Sequence, residues 1–404
     1  MTNGPVCALI PAVAPGSIST RIGRLGAPLL RRRRHLPIPL VPDNAAEILC
    51  DGAAYFDEIE KAVESAQHYI LVGTYILRAD NTGWRVCRLL AKKRAEGVEV
   101  ALTYDGYGSF GLSSELLEFL RLAGVKVLEY RPVSFVTGSM PWTQRNHRKM
   151  IIVDGRVGIT GGHNIADDYA SVEQGGKNWR DTGCRLEGPA VHQLEDLFRR
   201  NWGINRGDRL ESRPIIAPPV PGGVAARFVG NFARRQRAEI RRDYLAAILG
   251  AQKTVRVTNA YFAPDRGILR ALLRASRNGV TVELILAGLT DVKPMLMVTH
   301  GLYGLLLKNG VKIYEWHERI LHAKTAVVDG IWSSIGSANL NQRSFRFDLE
   351  ANVTIVSARF GEQMDEMFEV DRGKCRAIDP VEWKKRPRWM RMLEWFFGLF
   401  RRIV

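Results

Sequence analysis

With 404 residues, 46% of them hydrophobic, the chain can bury one large or two medium cores and needs no covalent staples to fold. Its five cysteines, Cys7, Cys50, Cys87, Cys184 and Cys375, are scattered and form no C-x-x-C pair, which excludes a disulfide framework and a zinc knuckle. The net charge of +16 sits mostly at the two ends, leaving a body too mildly charged to be the basic channel a polynucleotide requires, so no nucleic-acid partner is expected.

Residues 1–43 read as a basic N-terminal segment, with Arg21, Arg24 and Arg31 to Arg34 and no acid in the first thirty-five positions. Such a run is either a solvated tail or a contact for lipid headgroups. Its Arg-rich, acid-free composition also matches an organelle transit peptide, but a secretory signal does not fit: no base precedes the apolar run Val6 to Ile10, and Pro11 and Pro15 break it. No later stretch reaches the ~18–20 apolar residues of a membrane-spanning helix.

A first unit over residues 44–205 and a second over residues 224–380 repeat the same segments in the same order. Ala62 to Leu77, a helix end followed by a β-branched run near Tyr75, is echoed by Ala247 to Ala263 with Tyr261. The Gly97 to Leu102 strand matches Gly279 to Leu284, and the helix and strand of Leu116 to Val127 match Leu302 to Ile313. Helix followed by short apolar strand, repeated, predicts two pseudo-symmetric α/β sandwich domains with mostly parallel sheets. Between them, residues 206–223 are rich in proline and glycine and read as a linker.

Each unit then carries H-x-K-x4-D-G: His147, Lys149, Asp154 and Gly155 in the first, His322, Lys324, Asp329 and Gly330 in the second. Residues two apart on a strand share a face, so each His projects with its Lys. Asp-Gly between apolar runs predicts a hairpin that returns Val157 to Thr160 and Ile331 to Ile335 alongside. Asn164 and Asn339 follow their histidines by seventeen residues, and Gly161-Gly162 and Gly336-Ser337 just before them would let the backbone approach an anion. A lone H-x-K means little, but two complete copies at equivalent places in a repeat are not accidental.

These residues resemble the phospholipase D superfamily, whose signature is a pair of H-x-K-x4-D motifs each followed by Asn. The resemblance runs from Ile48 to Glu350. Its flanks are most similar to bacterial cardiolipin synthases of the short type without N-terminal membrane spans: Gly161-Gly162-His163-Asn164-Ile165, Trp179-Arg180-Asp181-Thr182, Leu186-Glu187-Gly188-Pro189, Tyr261-Phe262-Ala263-Pro264-Asp265 and Gly336 to Ser344.

The resemblance implies one active site at the interface of the two units. Lys149, Lys324, Asn164 and Asn339 would hold the phosphoryl oxygens, His147 would attack phosphorus and His322 would act as general acid and base. Behind them would stand Asp181, Ser337 and Glu350, with Glu350 orienting the second histidine and Asp181 the first. Asp154 and Asp329 belong to the signature as well, although the hairpin alone explains them as turn residues. His163 reads as a loop residue, and Asp348 departs from the more usual Asn two positions before Glu350. No metal or other cofactor is expected, because two imidazoles and two ammonium groups supply nucleophile, proton donor and cations.

Residues 381–404 close the chain with Trp389, Leu393, Phe396 and Phe400 on one helical stripe among seven bases. Such a helix either lies at an anionic lipid surface or packs on the protein itself. The combined expectation is a transferase that makes cardiolipin and glycerol from two phosphatidylglycerols, one serving as donor and one as acceptor. It would work peripherally on the cytoplasmic face of a bacterial membrane. The alternative is a phospholipase or nuclease that uses water.

Overall fold

The computed structural model describes residues 38–134, 144–231 and 239–398. The basic segment ahead of residue 38 lies outside them, as does Phe400 of the expected stripe.

The first half runs β1 (Val41–Cys50), α1 (Asp51–Glu64), β2 (Tyr69–Thr74), α2 (Asn81–Ala95), β3 (Glu99–Asp105), α3 (Ser114–Leu122), β4 (Lys126–Tyr130), β5 (Met150–Val153), β6 (Val157–Gly161), β7 (Thr182–Glu187) and α4 (Val191–Ile204). The second half opens with β8 (Val224–Gly230), α5 (Glu239–Gly250), β9 (Thr254–Asn259), α6 (Arg266–Arg277), β10 (Thr281–Ala287), α7 (Lys293–Lys308) and β11 (Lys312–Trp316). It continues through β12 (Lys324–Val328), β13 (Trp332–Gly336), α8 (Gln342–Arg346), β14 (Ala351–Val356), α9 (Ala358–Gly373), β15 (Arg376–Ala377), α10 (Pro380–Lys384) and α11 (Arg388–Gly398).

Among the described residues fifteen strands form one sheet, in the order β15-β11-β10-β9-β12-β13-β14-β8-β1-β7-β6-β5-β2-β3-β4. At its centre β1 pairs antiparallel with β8, Val41 facing Ala226. Outward from that pair the two sides match strand for strand, β7 with β14, β6 with β13, β5 with β12, and on to β4 with β11. The two-half α/β architecture therefore stands, while the expectation of mostly parallel sheets is corrected. Among the described residues parallel ladders occur only within β2-β3-β4 and β9-β10-β11, where helices make the crossovers. The Asp-Gly hairpins and the strands beyond them add antiparallel ladders.

Both hairpins turn as the dipeptide demands. Asp154 and Gly155 have φ of 49° and 62°, Asp329 and Gly330 of 53° and 62°, the left-handed pair of a type I′ turn. A side chain on Gly155 would meet the Ile215 carbonyl at 2.1 Å, so glycine is required there for space as well as for φ.

The core explains why the halves form one body. On one face each half buries its own cluster, Phe56, Ile59, Leu90 and Leu102 in the first, Ile248, Leu272, Leu284 and Leu306 in the second. On the other face a single cluster spans both, uniting Leu71, Ile152 and Phe198 with Phe228, Val327, Ile335, Val353 and Met364 beneath α4 and α9. At ~1.5–3 kcal/mol per fully buried large apolar side chain, this shared layer couples the halves far more strongly than polar surface contacts could.

At the C-terminal end, α11 lies along α7, with Phe397 packed in the cluster of Tyr261, Ala263, Met295 and Val298. Glu394 is buried and paired with Arg386. Trp389, Met392, Leu393 and Phe396 remain exposed. One face of this helix therefore packs on the protein itself, and the other is exposed. Among the described residues no helix is long and apolar enough to cross a membrane.

Candidate active site

The two motif histidines are carried by extended segments that each half lends to the other. His147, just ahead of β5, donates its backbone N–H to the Leu349 carbonyl at 2.9 Å, and the Leu349 N–H returns to Arg145 at 2.8 Å. In the same way the His322 N–H reaches the Arg180 carbonyl at 2.7 Å, and the Arg180 N–H reaches Ile320 at 2.8 Å. Each bridge leaves the next residue of the partner segment, Glu350 or Asp181, beside the imidazole.

The carboxylates therefore cross between halves. Glu350 accepts from His147 Nδ1 at 3.0 and 3.1 Å, and Asp181 accepts from His322 Nδ1 at 2.7 Å. This corrects the expectation that Glu350 orients the second histidine and Asp181 the first. The reason lies in the bridges: a strand entering from the other half delivers the carboxylate, and closeness along the chain has no part in it. With Nδ1–H committed to a carboxylate, each ring turns its Nε2 lone pair toward the site.

The groups behind the carboxylates differ in a way that fits side-chain length. Ser337 Oγ donates to Glu350 at 2.5 Å, and the Ala351 N–H donates to Ser337 Oγ at 3.0 Å. At the matching place stands Gly162, where a side-chain carbon would lie 2.2 Å from an Asp181 oxygen. The shorter Asp needs that space to reach its histidine. The glycine expected to admit an anion thus admits Asp181 instead, and Gly336 is likewise filled by Asn352.

Lys149 Nζ donates to the His147 carbonyl at 2.7 Å and lies 5.1 Å from the Tyr75 ring centre; Lys324 Nζ donates to the His322 carbonyl. Burial pushes Lys149 down to about 7, with Lys324 adding repulsion, and pushes Lys324 down to about 8 despite Asp181 and Glu350. Burial also lowers His147 to about 4, Glu350 opposing and both lysines assisting. His322 is held well below its ordinary value by burial, Lys324 and Lys149, against Asp291. Burial alone would raise Glu350, but His147, Lys149 and Ser337 bring it below the usual carboxylate range. Both imidazoles thus lie in the field of the two lysines across the interface, and burial disfavours positive charge on all four motif groups, opposed at the lysines by Glu350 and Asp181.

Asn164 Oδ1 accepts the Ile76 N–H at 3.0 Å and its amide nitrogen donates to the Tyr169 hydroxyl at 2.6 Å. Asn339 Oδ1 faces the Tyr261 N–H at 3.4 Å. Both amides therefore also pin the chain that leaves β2 and β9. Aromatic rings wall the histidines, Tyr75 against His147 at 4.8 Å between centres, Tyr169 and Tyr261 against His322 at 5.2 and 6.1 Å.

Asp154 and Asp329, members of the signature set, are not brought to the site. Asp154 accepts the N–H groups of Gln67, His68 and Tyr69 at 2.7–2.8 Å at the start of β2, and Asp329 those of Gln252, Lys253 and Thr254 at 2.7–2.8 Å before β9. They hold the turn end of each hairpin, opposite the end where β5 and β12 meet the histidines. Asp348 accepts from the Arg145 N–H at 3.1 Å and from Arg343 Nε at 2.8 Å, and burial pushes it up to about 7. It ties the His147 segment to the second half. His163 is buried, its ring stacked on Tyr55 at 4.1 Å.

Sequence reasoning passed over Tyr169, Asp371 and Asp291. Asp371 grips Arg180 through Nε at 3.1 Å and Nη2 at 2.6 Å, bracing the segment that carries Asp181. Only the Trp-Arg-Asp element hinted at this support. Among the described residues no three His, Cys, Asp or Glu side chains gather as a metal site would need.

Comparison with known proteins establishes the family. A family model described as "Cardiolipin synthase, PLD-like domain" matches residues 59–202 and 244–372, once in each half. The cardiolipin synthase of Geobacillus thermodenitrificans (strain NG80-2) is 35% identical over 89% of this chain and 72% of its own length. That of Geobacillus kaustophilus (strain HTA426) is 34% identical over 91% and 74%. Among solved structures, phosphatidylserine synthase from Haemophilus influenzae Rd KW20 superposes with a TM-score of 0.69 at 14% identity, covering 91% of this chain and 97% of that one, a likeness of fold. By sequence and by fold, this chain belongs to the phospholipase D-like cardiolipin synthase family.

Proposed function

We infer that the protein is a cardiolipin synthase that moves a phosphatidyl group from one phosphatidylglycerol to another through a phosphohistidine. The observation that carries this reading is the crossed pair of carboxylate-held imidazoles facing one lysine-flanked space. A phosphodiester anion entering that space would balance Lys149 and Lys324, with Asn164 and Asn339 as further donors to its oxygens. Neutral His147, its Nδ1–H retained by Glu350, attacks phosphorus through Nε2. His322, protonated once the anion offsets the lysine charges, gives its proton to the departing glycerol oxygen. The second phosphatidylglycerol then loses its hydroxyl proton to His322. Its oxygen bonds phosphorus as the phosphorus–nitrogen bond to His147 breaks, and cardiolipin leaves.

Peripheral docking on the cytoplasmic face of a bacterial membrane, at an anionic lipid surface, is part of the same reading. It is supported by the exposed Trp389, Met392, Leu393 and Phe396 on α11, whose inner face adjoins Tyr261. Purified protein given phosphatidylglycerol in micelles should yield cardiolipin and one glycerol per transfer. Phosphatidic acid as the sole lipid product would make the enzyme a hydrolase.

A further inference from the structure

The site is pseudo-symmetric in its histidines and lysines, but the loops that follow β3 and β10 are not alike. Both loops begin the same way: the Gly106 N–H donates to the Tyr130 carbonyl and the Gly288 N–H to the Trp316 carbonyl, each at 2.9 Å. Three residues later the halves diverge. Ser109 is buried, its hydroxyl donating to the Tyr75 carbonyl at 3.2 Å and accepting the Leu77 N–H at 2.9 Å. Its counterpart Asp291 is exposed and accepts the Tyr261 hydroxyl at 2.5 Å.

The acid of the first loop, Asp105, is consumed by structure. It is buried and accepts the N–H groups of Tyr107, Gly108 and Asn146 at 2.8–3.1 Å. Asp291 is different. Its hydrogen bonds, from Tyr261 and weakly from Thr290, fall on Oδ1, and Oδ2 has no partner among the described residues. The Tyr261 ring that presents it stands against His322, and the Asp291 charge reaches both His322 and Lys324. One half of the site therefore offers an extra acceptor, held by the Tyr261 ring that stands against the imidazole assigned to the alcohol.

We propose that Asp291, positioned by Tyr261, selects the alcohol: its Oδ2 accepts a hydrogen bond from a hydroxyl on the carbon next to the one bearing the reacting oxygen. The group it takes is a neutral vicinal diol, the chemistry of a glycerol headgroup. This rests on the phosphatidyl-transfer reading above and adds to it the basis of acceptor choice. A cationic headgroup would also suit a carboxylate, but Lys149 and Lys324 repel it. A simple alcohol satisfies His322 and leaves the Asp291 acceptor without a donor, so it is the poorer substrate. Because the departing glycerol of the donor occupies the same side, the same contact holds it while His322 delivers its proton.

The test is a competition that does not depend on cardiolipin appearing. Micellar short-chain phosphatidylglycerol is supplied with equal deuterated glycerol, 1-propanol and ethanolamine, and the exchanged lipids are counted by mass spectrometry. Wild type should favour glycerol over propanol, and Asp291→Ala should cut that ratio about tenfold while propanol exchange persists. Tyr261→Phe, which keeps the ring and removes the positioning hydroxyl, should lower the ratio less. An unchanged ratio in Asp291→Ala overturns the proposal, and so does a wild type that prefers ethanolamine and loses that preference in the variant. If the diol preference behaves as expected yet no cardiolipin forms from phosphatidylglycerol alone, the cardiolipin synthase reading fails and the role of Asp291 stands. Cardiolipin formation with an indifferent Asp291→Ala gives the reverse.

Discussion

Asp181, immediately ahead of β7 in the first half, accepts the Nδ1–H of His322 in the second at 2.7 Å, and the pair spans 141 positions of sequence. Glu350 makes the reciprocal contact with His147 over 203 positions. Neither half can therefore orient its own histidine, and a chemically complete site exists only when both are folded and docked. Asp181→Asn and Glu350→Gln should each lower turnover by roughly a hundredfold or more, since a misoriented imidazole presents the wrong tautomer. The crossing makes the losses separable. Glu350→Gln should impair formation of the phosphoenzyme from a nitrophenyl ester, whose leaving group needs no proton, whereas Asp181→Asn should largely spare it. The opposite pattern would mean that the carboxylates serve the other step.

The same substrate decides which histidine is the nucleophile. With phosphate-labelled nitrophenyl ester and an alkaline quench, His322→Asn should retain label on the protein and His147→Asn should not. Label on His147→Asn would exchange the two roles. With phosphatidylglycerol as donor, both variants should be inactive.

Lys149 and Lys324 titrate in the fold at about 7 and about 8, below the ordinary lysine value of 10.5. The unfolded chain thus holds more protons than the native one from about pH 7 to 10.5, so the lysine contribution makes stability rise with pH through that window. Melting temperature measured against pH should show a positive slope that Lys149→Met reduces. Inorganic phosphate at pH near 7 should raise the wild-type melting temperature and raise that of Lys149→Met less. Identical slopes in the two proteins would contradict the charge balance described for the site.

Asp154 accepts three backbone N–H groups far from the chemistry. Asp154→Ala should cost about 2–4 kcal/mol of stability, through lost charge-assisted hydrogen bonds and a strained positive φ. Turnover by the folded enzyme should not change. Denaturant unfolding and single-turnover kinetics read the two effects apart, and a stable but inactive variant would return Asp154 to the catalytic set.

For the membrane face, deleting residues 384–404 would also remove Phe397 and the Arg386–Glu394 pair from their packing against the body. Trp389→Glu with Met392→Glu alters two side chains of α11 that are 65% and 70% exposed. That double variant should bind anionic liposomes at least tenfold more weakly, at ~1.5–3 kcal/mol per large apolar group, and keep its activity on short-chain soluble lipid. Undiminished liposome binding would remove α11 from the docking surface.

By itself the sequence determined what acts over a few residues. Period-two strand geometry put each His beside its Lys, Asp-Gly demanded a type I′ turn, and recurrence of whole segments announced two like halves with a reactive group in each. The tertiary fold alone settled which carboxylate serves which imidazole, that β1 and β8 weld the halves into one sheet, and that Asp291 is exposed and holds the Tyr261 hydroxyl while Ser109 is buried. Those relationships join residues whose separation along the chain carries no geometric information. They follow from which strand of one half enters the other, and the burial of a shared apolar layer fixes that docking.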